Sequence, residues 1–197
     1  MAVDAVIIGL GYVGLHLAQE ATRAGLTVLG YDINEGVVAA LNNGRSHVDD
    51  LSDADVATMV DGGFRATTDE SQIAEARVAV ICVPTPLSDD GGPGLRAVEG
   101  AVDAVARHLQ PGRLVVLDST TYPGTTDEVV RPRLEVGGLV AGTDFHLAFS
   151  PERIDPGNEK FGAKNTPKVV GGHTQEDVPS SVELRWRSGE HQAALTS

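Results

Sequence analysis

A run of β-branched and apolar residues, Ala5-Val6-Ile7-Ile8, passes straight into Gly9-Leu10-Gly11-Tyr12-Val13-Gly14, and an amphipathic helical pattern follows without a gap. No other stretch limits the fold as much. A strand that ends in G-x-G-x-x-G and continues as a helix is the first half of a βαβ unit. In such a unit Gly9 permits the tight turn, Gly11 lets the backbone approach a ligand, and Gly14 lets helix and strand pack closely. Leu15, Ala18 and Ala21 share one helical face, and Gly25 is placed to stop the helix. The next β-rich run, Thr27 to Tyr31, ends at Asp32, 21 positions after Gly11. An acidic side chain there can accept hydrogen bonds from an adenosine ribose. The helix N-terminus, with its unpaired N–H groups and favourable dipole, takes a pyrophosphate. The stretch predicts a dinucleotide site; the alternative is an ordinary structural βαβ turn.

The rest of the chain keeps alternating. Patterning predicts strands at 3–8, 27–31, 64–67, 77–83, 113–118, 145–150 and 168–171, and helices at 12–24, 34–43, 53–60, 95–109 and 125–134. This implies an α/β fold, a Rossmann-like, doubly wound and mostly parallel sheet. Residues 1–172 are expected to form a single domain, followed by a polar C-terminal tail over 173–197. Right-handed crossovers and the first βα fingerprint favour the strand order 3-2-1-4-5-6. Ligands in open α/β sheets bind beyond the carboxyl ends of the strands. The loops starting at Val83, Asp118 and Ser150 are therefore expected to line one crevice with Gly9–Gly14.

Charge narrows the ligand class. A formal net charge of −13 disfavours nucleic acid and anionic membranes as partners. It does not oppose a small anion held by local dipoles. No apolar run approaches transmembrane length and no N-terminal signal pattern is present, so a cytoplasmic location is expected. One cysteine, Cys82, excludes an internal disulfide and a multi-cysteine metal site. The six histidines show no metal spacing, and the acidic run Val48–Asp55 lacks the glycine and terminal glutamate of a calcium loop. That run reads as a solvated loop with an N-cap, and no metal is expected. Cys82 closes the apolar run Val78–Ile81 with no basic neighbour to lower its pKa, so it reads as an inert buried side chain.

Three loops carry unusual chemistry. Pro84 and Pro86 hold the segment after Val83 extended and presentable, either beside a ligand at Thr85 or as a rigid connection. Thr120 lies just past the strand Leu114–Leu117, its hydroxyl able to donate and accept. Thr125, Thr126 and Asp127 are better placed than Thr120 to cap the next helix. Glu152 follows a strand end and a proline. A carboxylate there can take a proton if burial raises its pKa, or pair on the surface with Arg153 or Lys160.

Cys82-Val83-Pro84-Thr85-Pro86-Leu87, Ser119-Thr120-Thr121-Tyr122-Pro123-Gly124-Thr125-Thr126 and Phe149-Ser150-Pro151-Glu152-Arg153-Ile154-Asp155-Pro156-Gly157-Asn158 follow the glycine motif in that order. Together they resemble the signatures of the UDP-glucose/GDP-mannose dehydrogenase family, over residues 3 to about 172, the family's NAD-binding domain. Their wording is similar to the branch acting on UDP-N-acetylhexosamines, glucosamine or mannosamine. The resemblance implies NAD as cofactor, held by Gly9, Gly11, Tyr12, Val13, Gly14, Asp32, Val83, Thr85 and Thr120. It also implies a UDP-sugar against Glu152, Arg153, Ile154 and Asp155. Thr120 then helps to position a catalytic water and Glu152 acts as a base. The implied reaction oxidises the sugar's C6 alcohol to a carboxylate and reduces two equivalents of NAD, through a cysteine thioester.

The family's nucleophilic cysteine, its connecting helix and its C-terminal UDP-binding domain have no counterpart in these 197 residues. From His173 the sequence is polar and aperiodic where the family begins an alanine-rich helix, so a divergent, poorly ordered tail is expected. Gly94 stands where the family often has aspartate. These departures lead us to expect a truncated form, inactive alone. It is expected to be monomeric or weakly aggregating, because the helix that makes the family's homo-oligomer contacts is missing. Alternatives are a catalytically silent NAD-binding module, a subunit that acts with a separate C-terminal half, and a β-hydroxyacid dehydrogenase-like enzyme. The last shares Gly-Leu-Gly but not Val-Pro-Thr-Pro or Ser-Pro-Glu-Arg.

Overall fold

In the computed structural model, β1 (Val3–Ile8) leads through the glycine loop into α1 (Tyr12–Arg23) and β2 (Val28–Tyr31). There follow α2 (Glu35–Asn42), α3 (Asp53–Asp61), β3 (Arg65–Thr67), β4 (Ala76–Ile81), α4 (Arg96–His108), β5 (Leu114–Leu117), α5 (Arg131–Leu134), β6 (His146–Phe149), β7 (Lys168–Gly172) and β8 (Gln192–Thr196). The structure describes residues 3–86 and 94–150, and the backbone of 168–172 and 192–196.

The sheet order is β3-β2-β1-β4-β5-β6-β7-β8. The first six strands are parallel and in the expected order, so the chain reverses direction across the sheet between β1 and β4. β7 pairs antiparallel with β6, and β8 pairs parallel with β7. β8 lies within the segment read from sequence as a tail; residues 173–191 fall outside the described residues.

Both faces of the sheet are covered, as unbroken apolar strands require. Val3, Val6 and Ile8 pack with Ala79, Ile81, Val115 and Leu117 against Val98, Val102 and Val105 of α4. Ile7, Val80 and Val116 point the other way, onto Leu15 and Ala18 of α1 and Val56 and Met59 of α3. Each valine, isoleucine, leucine and methionine among them contributes roughly 1.5–3 kcal/mol by burial. Leu15, Ala18 and Ala21 are all buried, and Gly25 takes φ +85° just past the end of α1. α3 begins with a capping box between Ser52 and Asp55, so the acidic run does contain an N-cap. Hydrogen bonds from the Ser52 hydroxyl and backbone hold the Asp55 carboxyl below its ordinary range.

Several boundaries differ from the sequence expectation. β4 stops at Ile81, so Cys82 and Val83 lie past it, although Cys82 N–H still donates to the Ile8 carbonyl at 2.8 Å. Pro84 ends the ladder because it has no N–H to offer. The helix expected over 125–134 starts as a π-helical stretch, Thr126–Val130, before α5. Pro132 explains the wide winding: it lacks an N–H, and its ring would press on the carbonyl one turn earlier. Thr125 does not cap that helix; its hydroxyl donates to the Tyr122 carbonyl at 2.7 Å. A 3-10 turn at Glu70–Glu75 was not visible in the hydrophobic pattern.

The tightest contact in the fold sits where α1 leaves the glycine loop. A Cβ on Gly14 would lie 1.9 Å from the Gly9 carbonyl oxygen and 3.3 Å from Cys82 Cβ. Backbone cannot yield like a flexible side chain. Gly14→Ala is therefore expected to lower stability by about 3 kcal/mol or more, read from urea unfolding. A midpoint unchanged from wild type would show that α1 can move off β1 without penalty.

Candidate functional site

Asp32 is the first residue past β2, and both of its carboxylate oxygens already accept a backbone hydrogen bond. Oδ2 accepts from Leu10 N–H at 2.8 Å and Oδ1 from Asn34 N–H at 2.9 Å. The first bond ties the glycine loop to the end of β2. The second shapes the turn into α2, which Asn34 caps through Gly36 and Val37 N–H. An ionised carboxylate offers about four lone-pair sites, so two remain for the hydroxyls of a ribose.

The three glycines of the loop have different reasons to be glycine. Gly9 sits at φ +90°, and a Cβ there would lie 2.9 Å from the Cys82 carbonyl oxygen. Gly14 is fixed by the contact described above. Gly11 has an ordinary φ of −70°, and a Cβ there would meet nothing within 4 Å. Among the described residues nothing requires Gly11 to lack a side chain. It is the N-cap of α1, offers no side-chain cap, and no acidic residue follows in the first turn. The opening N–H groups of α1 are left for an anion. Tyr12 turns its hydroxyl outward to donate to Asp50 and sets its ring 4.5 Å from that of His16. Val13 packs into the core on the α1 face.

A groove of about 680 Å³ runs from Gly9–Gly11 past Asp32 and Ile33 to Glu70 and Arg107. Ile33 is 85% exposed, an apolar wall that no part of the described protein covers. Ala97, Gly100, Ala101 and Ala104 of α4 form the opposite wall. At the far end Glu70 accepts two hydrogen bonds from Arg107, at 2.9 and 2.7 Å, and these hold its carboxyl below the usual range. Burial pushes the Tyr31 phenol up, so that lining residue stays neutral. An open glycine at a helix N-terminus, carboxylate lone pairs and an apolar slot fit the pyrophosphate, ribose and base of a dinucleotide.

Val83 and Pro84 line the same groove, on the far side of β1 from Asp32. The hydroxyl of Thr85 donates to the Thr120 carbonyl at 2.6 Å, so these two predicted site residues touch each other. Asp118 and Ser150 are buried, and neither lines the groove. Glu152, Arg153, Ile154 and Asp155 lie outside the described residues. Cys82 is buried in the core on the α1 face. Among the described residues no cluster of His, Cys, Asp and Glu is arranged to hold a metal ion, and no helix is long and apolar enough to cross a membrane.

Hydrophobic patterning does not single out Gly100. It interrupts a helix interior, where glycine costs roughly 1 kcal/mol against alanine, yet a Cβ there would meet nothing within 4 Å. That unforced glycine was the available signal for the α4 wall.

Residues 3–185 match the model of the UDP-glucose/GDP-mannose dehydrogenase family, NAD binding domain. The chain is 34% identical over 194 residues to a UDP-N-acetyl-D-glucosamine 6-dehydrogenase of Pseudomonas aeruginosa, covering 95% of this chain and 45% of that protein. It is 36% identical over 188 residues to a UDP-N-acetyl-D-mannosamine dehydrogenase of Escherichia coli, covering 90% of this chain and 44% of that one. A solved UDP-D-ManNAc dehydrogenase from Pyrococcus horikoshii superposes with a TM-score of 0.89 at 31% identity, covering 98% of this chain and 46% of the other. The chain thus spans a little under half the length of the curated relatives it matches.

If Gly11 is kept bare for a ligand, Gly11→Ala should fold as wild type does, within about 0.5 kcal/mol. It should nevertheless weaken NAD binding in calorimetry by roughly tenfold, the equivalent of about 1.4 kcal/mol. Unchanged affinity would mean that the first amides of α1 do not hold the pyrophosphate.

Proposed function

The chain belongs to the UDP-glucose/GDP-mannose dehydrogenase family as its NAD-binding domain, and from that premise we propose that it supplies the cofactor half of a nucleotide-sugar 6-dehydrogenase. The reaction would be oxidation of the C6 alcohol of a UDP-N-acetylhexosamine to the uronate, carried out in the cytoplasm. The observation that carries the reading is the groove joining the bare N-terminus at Gly11 to the carboxylate of Asp32. The substrate class rests on the relatives, which are named for UDP-N-acetylglucosamine and UDP-N-acetylmannosamine.

NAD, when bound, supplies the oxidising power. The protein's own part is binding and placement. The α1 N-terminus takes the pyrophosphate, Asp32 takes the adenosine ribose, and Ile33 with the α4 face takes the base. In this reading Thr120 orients a water, Glu152 takes a proton from it, and Arg153, Ile154 and Asp155 meet the sugar. The single thiol of the 197 residues, Cys82, is buried in the core. A covalent step on sulfur therefore needs a residue from outside this sequence. Positioning of reactants contributes as much as roughly 7–11 kcal/mol in favourable enzymes, and it fails when the opposite wall of a cleft is missing.

Two outcomes test the reading together. Calorimetry should give NAD an affinity about tenfold or more above that of NADP, because a 2′-phosphate would face the Asp32 carboxylate. The purified 197-residue chain, given NAD and either UDP-N-acetylhexosamine, should give no sustained NADH absorbance until a separately expressed C-terminal half is added. Preference for NADP would refute the cofactor assignment. Turnover by the chain alone would refute the division of labour.

A further inference from the structure

Two arginines line the groove, Arg96 at the start of α4 and Arg107 near its end. Arg107 is spent on Glu70, which accepts from it twice. Arg96 is exposed, and among the described residues it makes no hydrogen bond or ion pair. In a chain with a formal net charge of −13, an unengaged guanidinium beside a cavity calls for a partner.

Its surroundings keep it unengaged. Glu99 lies three residues on, within the usual reach of an i,i+3 pair. The Glu99 carboxylate turns instead to Arg133 at 3.1 Å, and Asp103 joins the same guanidinium at 3.0 Å. Arg133 thus draws both acidic residues of α4 toward α5. Side chains on a helix lean toward its N-terminus, so a side chain at position 100 would lie over Arg96. Gly100 has none, and a Cβ there would meet nothing within 4 Å.

The first turn of α4 is firmly anchored. Gly94 N–H donates to the Pro86 carbonyl at 2.6 Å, and Glu99 N–H donates to the Leu95 carbonyl at 2.8 Å. Leu95 and Val98 pack into the core on that face. Arg96 is therefore carried beside the loop that leaves β4, whose Val83 and Pro84 line the groove with it. Sheet order locates that place along a dinucleotide. β1 lies between β2 and β4. With adenosine on Asp32 at the end of β2, the phosphates lie over the end of β1, between Asp32 and the β4 loop. A guanidinium offers five N–H donors in a planar fork that matches phosphate oxygens, and it stays charged at any working pH.

Building on the NAD reading above, we propose that Arg96 is a further cofactor-binding residue, which holds the pyrophosphate from the α4 wall of the groove. The phosphates are then gripped between the amides of α1 and a side-chain cation. Arg133 and Gly100 serve this indirectly, one by occupying the acids of α4 and the other by leaving the guanidinium uncovered.

The test is calorimetry on the 197-residue chain with NAD and, separately, ADP, each at low and high salt. ADP carries adenosine and two phosphates but no nicotinamide riboside. Arg96→Ala should weaken both ligands about tenfold and by the same factor, in line with the loss of one charged hydrogen bond. It should also flatten the salt dependence of binding, because one screened ion contact has gone. Arg96→Lys keeps the charge without the fork and should recover part of the affinity and the salt dependence. Arg96 is exposed and alanine is a good helix former, so the melting temperature should not fall. Loss confined to NAD would put Arg96 against the nicotinamide half, and equal loss with unchanged salt dependence would put it against the base. Either result, or no loss at all, overturns the proposal while leaving the NAD reading intact. Failure of the wild-type chain to bind NAD at all would overturn the NAD reading and this proposal with it.

Discussion

The structure depends on one missing methyl group. Because Gly14 has no Cβ, the first turn of α1 can rest on the Gly9 carbonyl, at a separation that any other residue would fill. That contact fixes where α1 starts relative to β1, and so where its unpaired amides point. Gly9, at φ +90°, then turns the chain under the Cys82 carbonyl. Leu10 N–H would be stranded in such a turn, and Asp32 reaches across to accept from it. The residue proposed to hold a ribose is thereby the same one that stiffens the loop proposed to hold the phosphates.

In the proposed reading, this economy explains how an acidic chain would accommodate an anion. The net charge is −13, and long-range electrostatics oppose a phosphate. The attraction is local: oriented amides at a helix N-terminus, with no acidic side chain in the first turn to compete. The charged pair at the other end of the groove, Glu70 with Arg107, is largely solvated. Exposed ion pairs of this kind contribute about 0–1 kcal/mol. It helps to bind the 3-10 turn to α4 more than it sets the potential of the groove.

Much of this was legible in the sequence because it is set by short-range rules. Strand–helix alternation gave the parallel sheet, and the handedness of crossovers gave its order. Gly9, Gly11, Gly14 and Asp32 were readable because their spacing reflects a fixed backbone geometry. What escaped depends on contacts between distant segments. The π-helical winding follows from Pro132 within a helix whose periodicity looks ordinary, and the pairing of β8 on β7 has no local signature. The bond between Thr85 and Thr120 spans 35 residues, so it is invisible until the two loops are folded beside each other. Gly100 lies between these cases. A glycine inside a helix was an available signal, but hydrophobic patterning passes over it, and only the groove gives it a purpose.

The central claim is that the α1 N-terminus and Asp32 hold the same dinucleotide. A crystal structure of the chain grown with NAD addresses it directly. Pyrophosphate oxygens are expected within hydrogen-bond distance of the amides following Gly11, and both adenosine ribose hydroxyls on the Asp32 carboxylate, which still accepts from Leu10 N–H. A nucleotide bound elsewhere, or one in this groove that leaves Asp32 bonded only to Leu10 and Asn34, would contradict it.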